Sequence, residues 1–160
     1  PGTKGVEHRV GGLEKDFLKG CVSHDPINHQ RMVNVRAAKV ARVADFIPSQ
    51  QVIGDEFGDL LVIGWGGTYG HLLSAVEDLR KEGKSVSLCH FNYINPLPKN
   101  TAEIFGRFRK IVVCELNLGQ FAGYLRMNFQ QFRFEQFNKV QGLPFTVVEL
   151  KEKFYELLAR

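Results

Sequence analysis

The part of this sequence best suited to binding a ligand is a glycine-rich segment between an apolar run and an amphipathic one. Residues 64–70 contain four glycines. Where a strand ends in such a turn and a helix begins, the free backbone N–H groups at the helix start attract anions such as phosphate. Gly66, Gly67 and Thr68 are therefore candidates for contact with a ligand or with another domain.

The spacing of these glycines does not match the dinucleotide-binding fingerprint. Counted from Gly64, the pattern G-x-G-x-x-G requires a glycine where Tyr69 stands, and Gly70 comes one residue too late. The second predicted strand ends in Phe91-Asn92-Tyr93, without the acidic residue that would hold ribose hydroxyls. A tight crossing from strand to helix, in which a Cβ would clash, is the plainer interpretation. Contact with an anion or a partner is the alternative.

A second group of polar residues follows the third predicted strand. Glu115, Asn117, Gly119 and Gln120 lie just after this strand, predicted at residues 110–114. Ligand-binding residues of open sheets gather at the carboxyl ends of strands, so these four are further candidates. Capping of the next helix and solvation of the loop are the alternative interpretation. No catalytic residue is predicted, because a lone glutamate without a neighbouring Ser, Cys or His nucleophile is not a catalytic set.

Other kinds of site have little support in the sequence. The five histidines lack metal-binding spacing and the three cysteines are far apart, so no metal site is predicted. Residues 83–85 read Gly-Lys-Ser, but they lack the earlier glycine of a P-loop and follow a helix. Lys and Arg total 21 against 17 Asp and Glu, and most of this excess lies in residues 1–50. The nearly neutral remainder disfavours a nucleic-acid-binding domain.

From residue 51 the sequence alternates apolar runs with amphipathic ones, and this pattern would position the candidate residues. Thr146 and Glu149 have the spacing of a capping box at the start of the last helix. Apolar strands that alternate with helices indicate a mostly parallel sheet covered on both faces. The predicted fold class is therefore α/β, a three-layer sandwich. Strands are predicted at 60–64, 85–91, 110–114 and near 133–137, and earlier helices over 71–81, from Asn100 or Thr101, and after Gly119.

Residues 1–50 follow another pattern. The first 24 residues show no sustained period and are predicted to form an irregular arm, while Asp25-Pro26 starts a helix that Pro48 ends. This helix is basic and also carries apolar residues such as Val33 and Val40 at helical spacing. Its basic residues form either a solvated face or contacts with a neighbouring domain. We therefore divide the chain into an interdomain arm and linker helix, residues 1–50, and an α/β domain, residues 51–160.

The composition is that of an ordinary globular protein. The chain has 160 residues, of which 44% are hydrophobic and 24% charged, enough for one domain with a sizeable core. No apolar run approaches the ~20 residues that cross a bilayer, and residues 1–4 show neither an initiator Met nor a signal segment. With an odd number of dispersed cysteines, these features predict a fragment of a longer cytoplasmic chain with no membrane contact.

Five motifs occur in order along the chain. They are Gly5-Val6-Glu7-His8, Gly64-Trp65-Gly66-Gly67-Thr68-Tyr69-Gly70, Asn95-Pro96-Leu97-Pro98, Glu115-Leu116-Asn117-Leu118-Gly119-Gln120 and Asn138-Lys139-Val140-Gln141-Gly142-Leu143-Pro144-Phe145. Together they resemble the 2-oxoacid:ferredoxin oxidoreductases. The resemblance is to the C-terminal region of the alpha subunit, most closely of the 2-oxoglutarate branch, and it covers nearly the whole chain.

The resemblance implies a transketolase C-terminal-domain-like fold with a mostly parallel five-stranded sheet that includes one antiparallel edge strand. Enzymes of this family decarboxylate a 2-oxoacid on thiamine diphosphate and Mg²⁺. They pass electrons through iron–sulfur clusters to ferredoxin and transfer the acyl group to coenzyme A. This sequence has neither the G-D-G…N-N motif for thiamine diphosphate nor a cysteine run for a cluster. The resemblance therefore places these cofactors outside this region, in an upstream pyrimidine-binding domain and a beta subunit.

The resemblance predicts a structural and assembly domain of such an alpha subunit, without a complete active site of its own. Its expected partners are the upstream domain and the beta subunit, with ferredoxin reached through the complex, and homo-oligomerisation is left open. A free-standing nucleotide- or flavin-binding α/β module that uses residues 64–70 is the alternative function. A nucleic-acid-binding domain is a weaker one.

Overall fold

The structure is a computed structural model that describes residues 2–7, 11–12 and 14–160. It divides into two compact units, Pro1–Phe46 and Ile47–Arg160. The first predicted family motif ends at His8, which lies outside the described residues. The assignment of residues 1–50 as an interdomain arm and linker helix stays a prediction.

The first unit is built on helix α1, Pro26–Arg42, which begins where the sequence predicts. The Asp25 side chain accepts a hydrogen bond from Ile27 N at 3.0 Å, and a proline takes the first position, where no N–H is needed. The apolar residues predicted to face inward are not covered within the described chain, since Val33 and Val40 are both exposed.

Side chains of α1 hold the preceding arm in place. The buried Asn28 accepts a hydrogen bond from Phe17 N at 3.0 Å and donates one to Lys15 O at 2.9 Å. Arg36 donates to the Glu14 carboxylate at 3.2 Å. The arm is therefore attached to the helix by polar contacts instead of by an apolar core.

The second unit contains a four-stranded sheet in which every strand pair is parallel. The strand order is β2-β1-β3-β4. The chain therefore adds β2 on one side of β1, then crosses to the other side of β1 to add β3 and, beyond it, β4. The strands are β1 Gly58–Trp65, β2 Val86–Phe91, β3 Phe108–Glu115 and β4 Phe134–Asn138. The helices are α2 Tyr69–Lys81, α3 Thr101–Phe105, α4 Gln120–Asn128 and α5 Val147–Ala159.

Helices cover both faces of the sheet, which confirms the predicted three-layer α/β fold. Because side chains alternate along β1, Leu60 and Val62 join a core with α2 and α5, whereas Leu61 and Ile63 join a core with α3 and α4. Phe105 lies in the second core, with the rings of aromatic residues from the α4–β4 segment packed edge-on around it. These rings stabilise the core and do not form an exposed base-stacking surface.

The predicted five-stranded sheet with an antiparallel edge strand is wrong in its strand count. The structure has four strands, and the antiparallel edge is reduced to one bridge between Ile53 and Leu88. In that bridge Ile53 N donates to Leu88 O at 2.8 Å and Leu88 N donates to Ile53 O at 2.9 Å. Gly54, with φ +115°, turns the chain out of the extended conformation directly afterwards, so pairing cannot continue.

Candidate functional site

The seven candidate residues meet at one place, the carboxyl edge of the sheet between β1 and β3. These strands are neighbours, and the helices that follow them, α2 and α4, pack on opposite faces of the sheet. Such a topological switch point is where open α/β sheets bind ligands. The strand order therefore brings together two loops that are distant along the chain, since the hydrogen-bonded Trp65 and Glu115 are 50 residues apart in sequence.

The turn after β1 is tight at its first glycine only. A Cβ on Gly64 would overlap Leu72 of α2 and lie 2.7 Å from the Thr68 hydroxyl, so the predicted close strand-to-helix crossing exists at this position. Gly66, at φ +59°, needs glycine for its backbone conformation, but a Cβ on Gly66 or on Gly67 would meet no atom within 4 Å. These two residues form an open turn on the surface.

The Thr68 hydroxyl closes this turn and is buried. Trp65 N donates to Thr68 Oγ1 at 3.1 Å, and that hydroxyl donates back to Trp65 O at 2.9 Å. Both hydrogen-bonding roles of the hydroxyl are therefore used inside the turn. In this conformation the Thr68 hydroxyl has a structural role in the turn.

Glu115 is the centre of the site, and its side chain is 0% exposed. One carboxylate oxygen accepts from Trp65 Nε1 at 3.2 Å, Asn117 Nδ2 at 3.1 Å and Phe121 N at 2.8 Å. The other accepts from Ala122 N at 2.9 Å. A helix start attracts anions, and here the anion is a carboxylate of the chain itself.

Asn117 completes the start of α4. Its Oδ1 accepts from Gly119 N at 2.7 Å and from Gln120 N at 3.0 Å. Gly119 has φ +92°, a conformation that favours glycine. Together with the Glu115 contacts, four successive N–H groups at this helix start have acceptors within the chain. Glu115 and Asn117 thus cap the start of α4, while the Gln120 side chain is exposed.

A second concave region, which sequence reasoning missed, lies on the β2 side of the same edge. It is a cleft of about 580 Å³ whose lining includes Gly66, Tyr69, His90 and Asn92. Trp65 and Phe91 pair in the parallel register of β1 and β2, so the residues that follow them face one another. The signal in the sequence is the pair of polar residues after β2, but the dinucleotide fingerprint considers only an acidic residue at that place.

The cysteines of this chain do not fit an iron–sulfur cluster. Cys114 belongs to the core with α2 and α5 and Cys89 to the core on the opposite face of the sheet. Burial raises the pKa of both thiols far above the usual range, whereas a metal ligand must be a thiolate. No group of three or more His, Cys, Asp or Glu with metal-binding geometry occurs among the described residues. Within the same residues, no helix has the length and apolar character to cross a membrane.

Comparison with known proteins confirms the resemblance inferred from the motifs. No model of a protein family matches the chain. The 2-oxoglutarate oxidoreductase subunit KorA of Mycobacterium tuberculosis is 41% identical over 152 residues, which cover 94% of this chain and 23% of that protein. The alpha subunit of 2-oxoacid:ferredoxin oxidoreductase 1 of Aeropyrum pernix is 30% identical over 147 residues, covering 87% of this chain and 23% of that protein. The chain thus spans about a quarter of the length of these relatives.

Solved structures agree with the sequence relatives. The 2-oxoglutarate:ferredoxin oxidoreductase of Magnetococcus marinus, solved with 2-oxoglutarate, coenzyme A and succinyl-CoA bound, matches with a TM-score of 0.89 at 28% identity. That match covers 99% of this chain and 28% of the other. A split-gene transketolase matches with a TM-score of 0.53 at 12% identity, over 64% of this chain and 39% of the other, and shows a shared fold alone.

Proposed function

Because the chain is similar over nearly its whole length to alpha subunits of 2-oxoacid:ferredoxin oxidoreductases, we propose that it is the C-terminal region of such a subunit. We propose a structural and assembly role for it there. The complete cytoplasmic enzyme would oxidatively decarboxylate a 2-oxoacid to the acyl-CoA and reduce ferredoxin. The 2-oxoacid that we propose is 2-oxoglutarate. Thiamine diphosphate with Mg²⁺, iron–sulfur clusters and coenzyme A would supply that chemistry from other parts of the complex.

One observation carries the structural role: Glu115 and Asn117 accept the four N–H groups at the start of α4. This is the place where an open sheet would otherwise bind the phosphates of a ligand. Since the site holds a carboxylate of the chain, a phosphate there would have to displace a buried, four-bonded group. This geometry supports a scaffold role for the start of α4, whereas the alternative nucleotide- or flavin-binding module would use residues 64–70 at the start of α2.

The exposed apolar side chains of α1 support a partner. Ile27 is 78% exposed, and Val33, Val35 and Val40 are exposed as well. Apolar side chains that a helix leaves exposed often mark a surface that another protein covers. The relatives are about four times as long as the matched region, which covers 23% of each. We propose that the upstream pyrimidine-binding domain or the beta subunit covers α1.

Gly66, Gly67 and Gln120 are the candidate residues that remain available for contact with another domain. Both glycines form an open turn, and the Gln120 side chain is exposed without a side-chain hydrogen bond among the described residues. The other candidates would act indirectly, by fixing the loops that carry the two glycines and Gln120. They are Glu115, Asn117, Gly119 and Thr68. We therefore propose that the site forms part of an interface between domains or subunits, near the active site of the complex.

Deletion of this region from the complete alpha subunit tests the assembly role. With the beta subunit co-expressed, we expect the truncated subunit to lose the complex on size-exclusion chromatography and to lose 2-oxoglutarate-dependent ferredoxin reduction. An intact complex with unchanged turnover would overturn the proposal. Purification of the 160-residue chain with a stoichiometrically bound flavin or dinucleotide would instead establish the alternative function.

Substitution of two neighbouring residues tests the interface separately. Gln120→Ala removes an exposed side chain and should leave stability unchanged but weaken assembly of the complete enzyme. Asn117→Ala removes a helix cap and should lower stability by about 1 kcal/mol before any effect on assembly. If Gln120→Ala changes neither assembly nor turnover, the interface assignment of this loop is wrong.

A further inference from the structure

The cleft at the carboxyl ends of β1 and β2 contains polar groups that no contact within the described chain uses. Its walls come from the segment before β1, the turn after β1 and the residues after β2. In the part of the chain that the structure describes, the side chains of Gln51, Asn92 and Tyr93 have no hydrogen-bond partner. Polar groups that converge from separate elements on one concave surface are typical of a small-molecule site.

The wall formed by the segment before β1 is fixed in place. Gln50 N donates to Asn100 Oδ1 at 2.9 Å, and Asn100 Nδ2 donates to Gln50 O at 2.9 Å. Gln50 Nε2 also donates to His90 O at 3.0 Å, which joins this wall to the end of β2. A cleft whose walls are already held together loses little conformational entropy when a ligand binds.

His90 supplies an acceptor that lacks a donor. Burial lowers the pKa of the His90 imidazole, against a smaller opposing effect of the Gly66 backbone. Nε2 is buried and has no partner among the described groups. In a neutral ring whose other nitrogen donates a hydrogen bond, the free nitrogen is an acceptor. A buried acceptor without a donor calls for an explanation.

The remaining lining groups define the chemistry of the occupant. No Asp, Glu, Lys or Arg is found among the described residues that line the cleft, so an uncharged ligand is favoured. Tyr69 and Tyr93 are 44% and 43% exposed and offer aromatic faces. The amides of Gln51 and Asn92 each present a donor beside an acceptor, the pattern that pairs with the edge of adenine.

We propose that this cleft binds an uncharged purine with an exocyclic amino group, such as the base of adenosine. The ring stacks on a tyrosine face, and one amide pairs with the edge that carries the amino group. The other amide donates to a ring nitrogen, and the second amino hydrogen is donated to His90 Nε2. The Tyr69 ring packs edge-on against His90, with centroids 5.0 Å apart, so rotation of this half-exposed side chain opens the way to Nε2. The site lies beside the switch point and uses none of the Glu115 contacts.

Titration of the 160-residue chain with adenosine, followed by two-dimensional ¹H–¹⁵N NMR, tests this proposal. We expect saturable shifts at residues 66–69 and 90–93, and weaker binding of purine riboside, which lacks the amino group. AMP should bind no more tightly than adenosine, because no cation lines the cleft among the residues that the structure describes. Loss of a paired amide in Asn92→Ala or Gln51→Ala should weaken binding by about tenfold.

Gln141→Ala is the matched control, since Gln141 is an exposed glutamine on the loop after β4 and should leave binding unchanged. Absence of adenosine binding at millimolar concentration would overturn the proposal. So would equal affinity in the cleft variants and the control. Neither result bears on the assembly role, which is measured on the complete enzyme with other residues.

Discussion

At the scale of single residues, Glu115 decides what the switch point of this sheet does. An acidic side chain is rarely buried without partners. Here four N–H donors surround Glu115, one from the end of β1, one from the loop after β3 and two from α4. The carboxylate therefore ties the two loops of the candidate site into one structure. An interface built on these loops depends on this residue even though it is itself inaccessible.

Glu115→Ala should be strongly destabilising. The substitution leaves two backbone N–H groups, an indole and an amide without their acceptor, at roughly 1–3 kcal/mol for each buried group that stays unpaired. We expect a loss of roughly 3 kcal/mol or more in the free energy of unfolding, measured by urea denaturation. Glu135→Ala is the control, because that side chain is 33% exposed and pairs only with an exposed arginine. Equal stability of the two variants would contradict the role given to Glu115.

Gly64→Ala should also be destabilising, through overlap instead of lost hydrogen bonds. The new methyl group would overlap Leu72 and crowd the Thr68 hydroxyl, which typically costs about 1–3 kcal/mol in a packed core. Gly67→Ala adds the same methyl group in the same turn, where nothing lies within 4 Å. A thermal melt should separate the two variants clearly, and similar melting temperatures would show that the crossing between β1 and α2 can relax.

At the scale of elements, α5 shows how a local motif is reinforced from a distance. The predicted capping box is present, with Glu149 N donating to Thr146 Oγ1 at 3.2 Å and Thr146 N donating to Glu149 Oε2 at 2.8 Å. Phe145 and Leu150, on either side of it, are both buried in the same core. Lys139, from the segment after β4, donates to both Glu149 carboxylate oxygens at 2.9 Å. The start of α5 is thereby fastened to the end of the sheet.

The Glu149 contacts predict a pH dependence of stability. The hydrogen bond from Lys139, then those from Thr146, lower the pKa of Glu149 from 4.5 to about 2. A depressed carboxyl pKa stabilises the fold above its unfolded value, and this contribution is lost as pH falls from 4.5 to about 2. The stability difference between the wild type and Glu149→Gln should therefore be constant near neutral pH and shrink over that acidic range. Urea midpoints measured across it give the comparison.

Glu152→Gln provides the control for this pH series, because Glu152 is exposed on the same helix. Its effect on stability should be small at every pH, as is usual for a surface charge. If Glu149→Gln lowers stability by the same amount at every pH measured, the charge of the Glu149 carboxylate contributes nothing to stability.

At the scale of the whole molecule, the apolar cores belong to the second unit. Every residue of the two hydrophobic clusters comes from position 52 onward. The first unit contributes an arm held by Asn28 and a helix with exposed apolar side chains. The second unit therefore contains both apolar cores within its own residues.

A chain of residues 47–160 should therefore fold by itself. We expect a cooperative urea transition and a far-ultraviolet circular dichroism spectrum of mixed helix and strand, because both cores are complete in this unit. The 160-residue chain is the reference for the midpoint. A non-cooperative transition of the shorter chain would show that residues before 47 are needed for the fold.

The sequence by itself determined the features that depend on neighbours along the chain. The Asp25 cap, the Thr146–Glu149 capping box and the alternation of strands with helices are all in place, because they rest on hydrogen bonds and periodicities within a few residues. The motifs also determined the family resemblance, since their order and spacing are properties of the chain alone. The three-layer fold class follows from the same alternation.

Only the tertiary structure decided which contacts the candidate residues make. Whether the loops after β1 and β3 meet depends on strand order, which the local pattern leaves open. That order brings Trp65 to Glu115, whose carboxylate also caps the start of α4. The predicted fifth strand is also absent from this sheet. The segment beside β2 pairs only at Ile53 and Leu88, because Gly54 turns the chain directly afterwards. Contacts between distant segments are set by packing, and packing is a property of the folded chain.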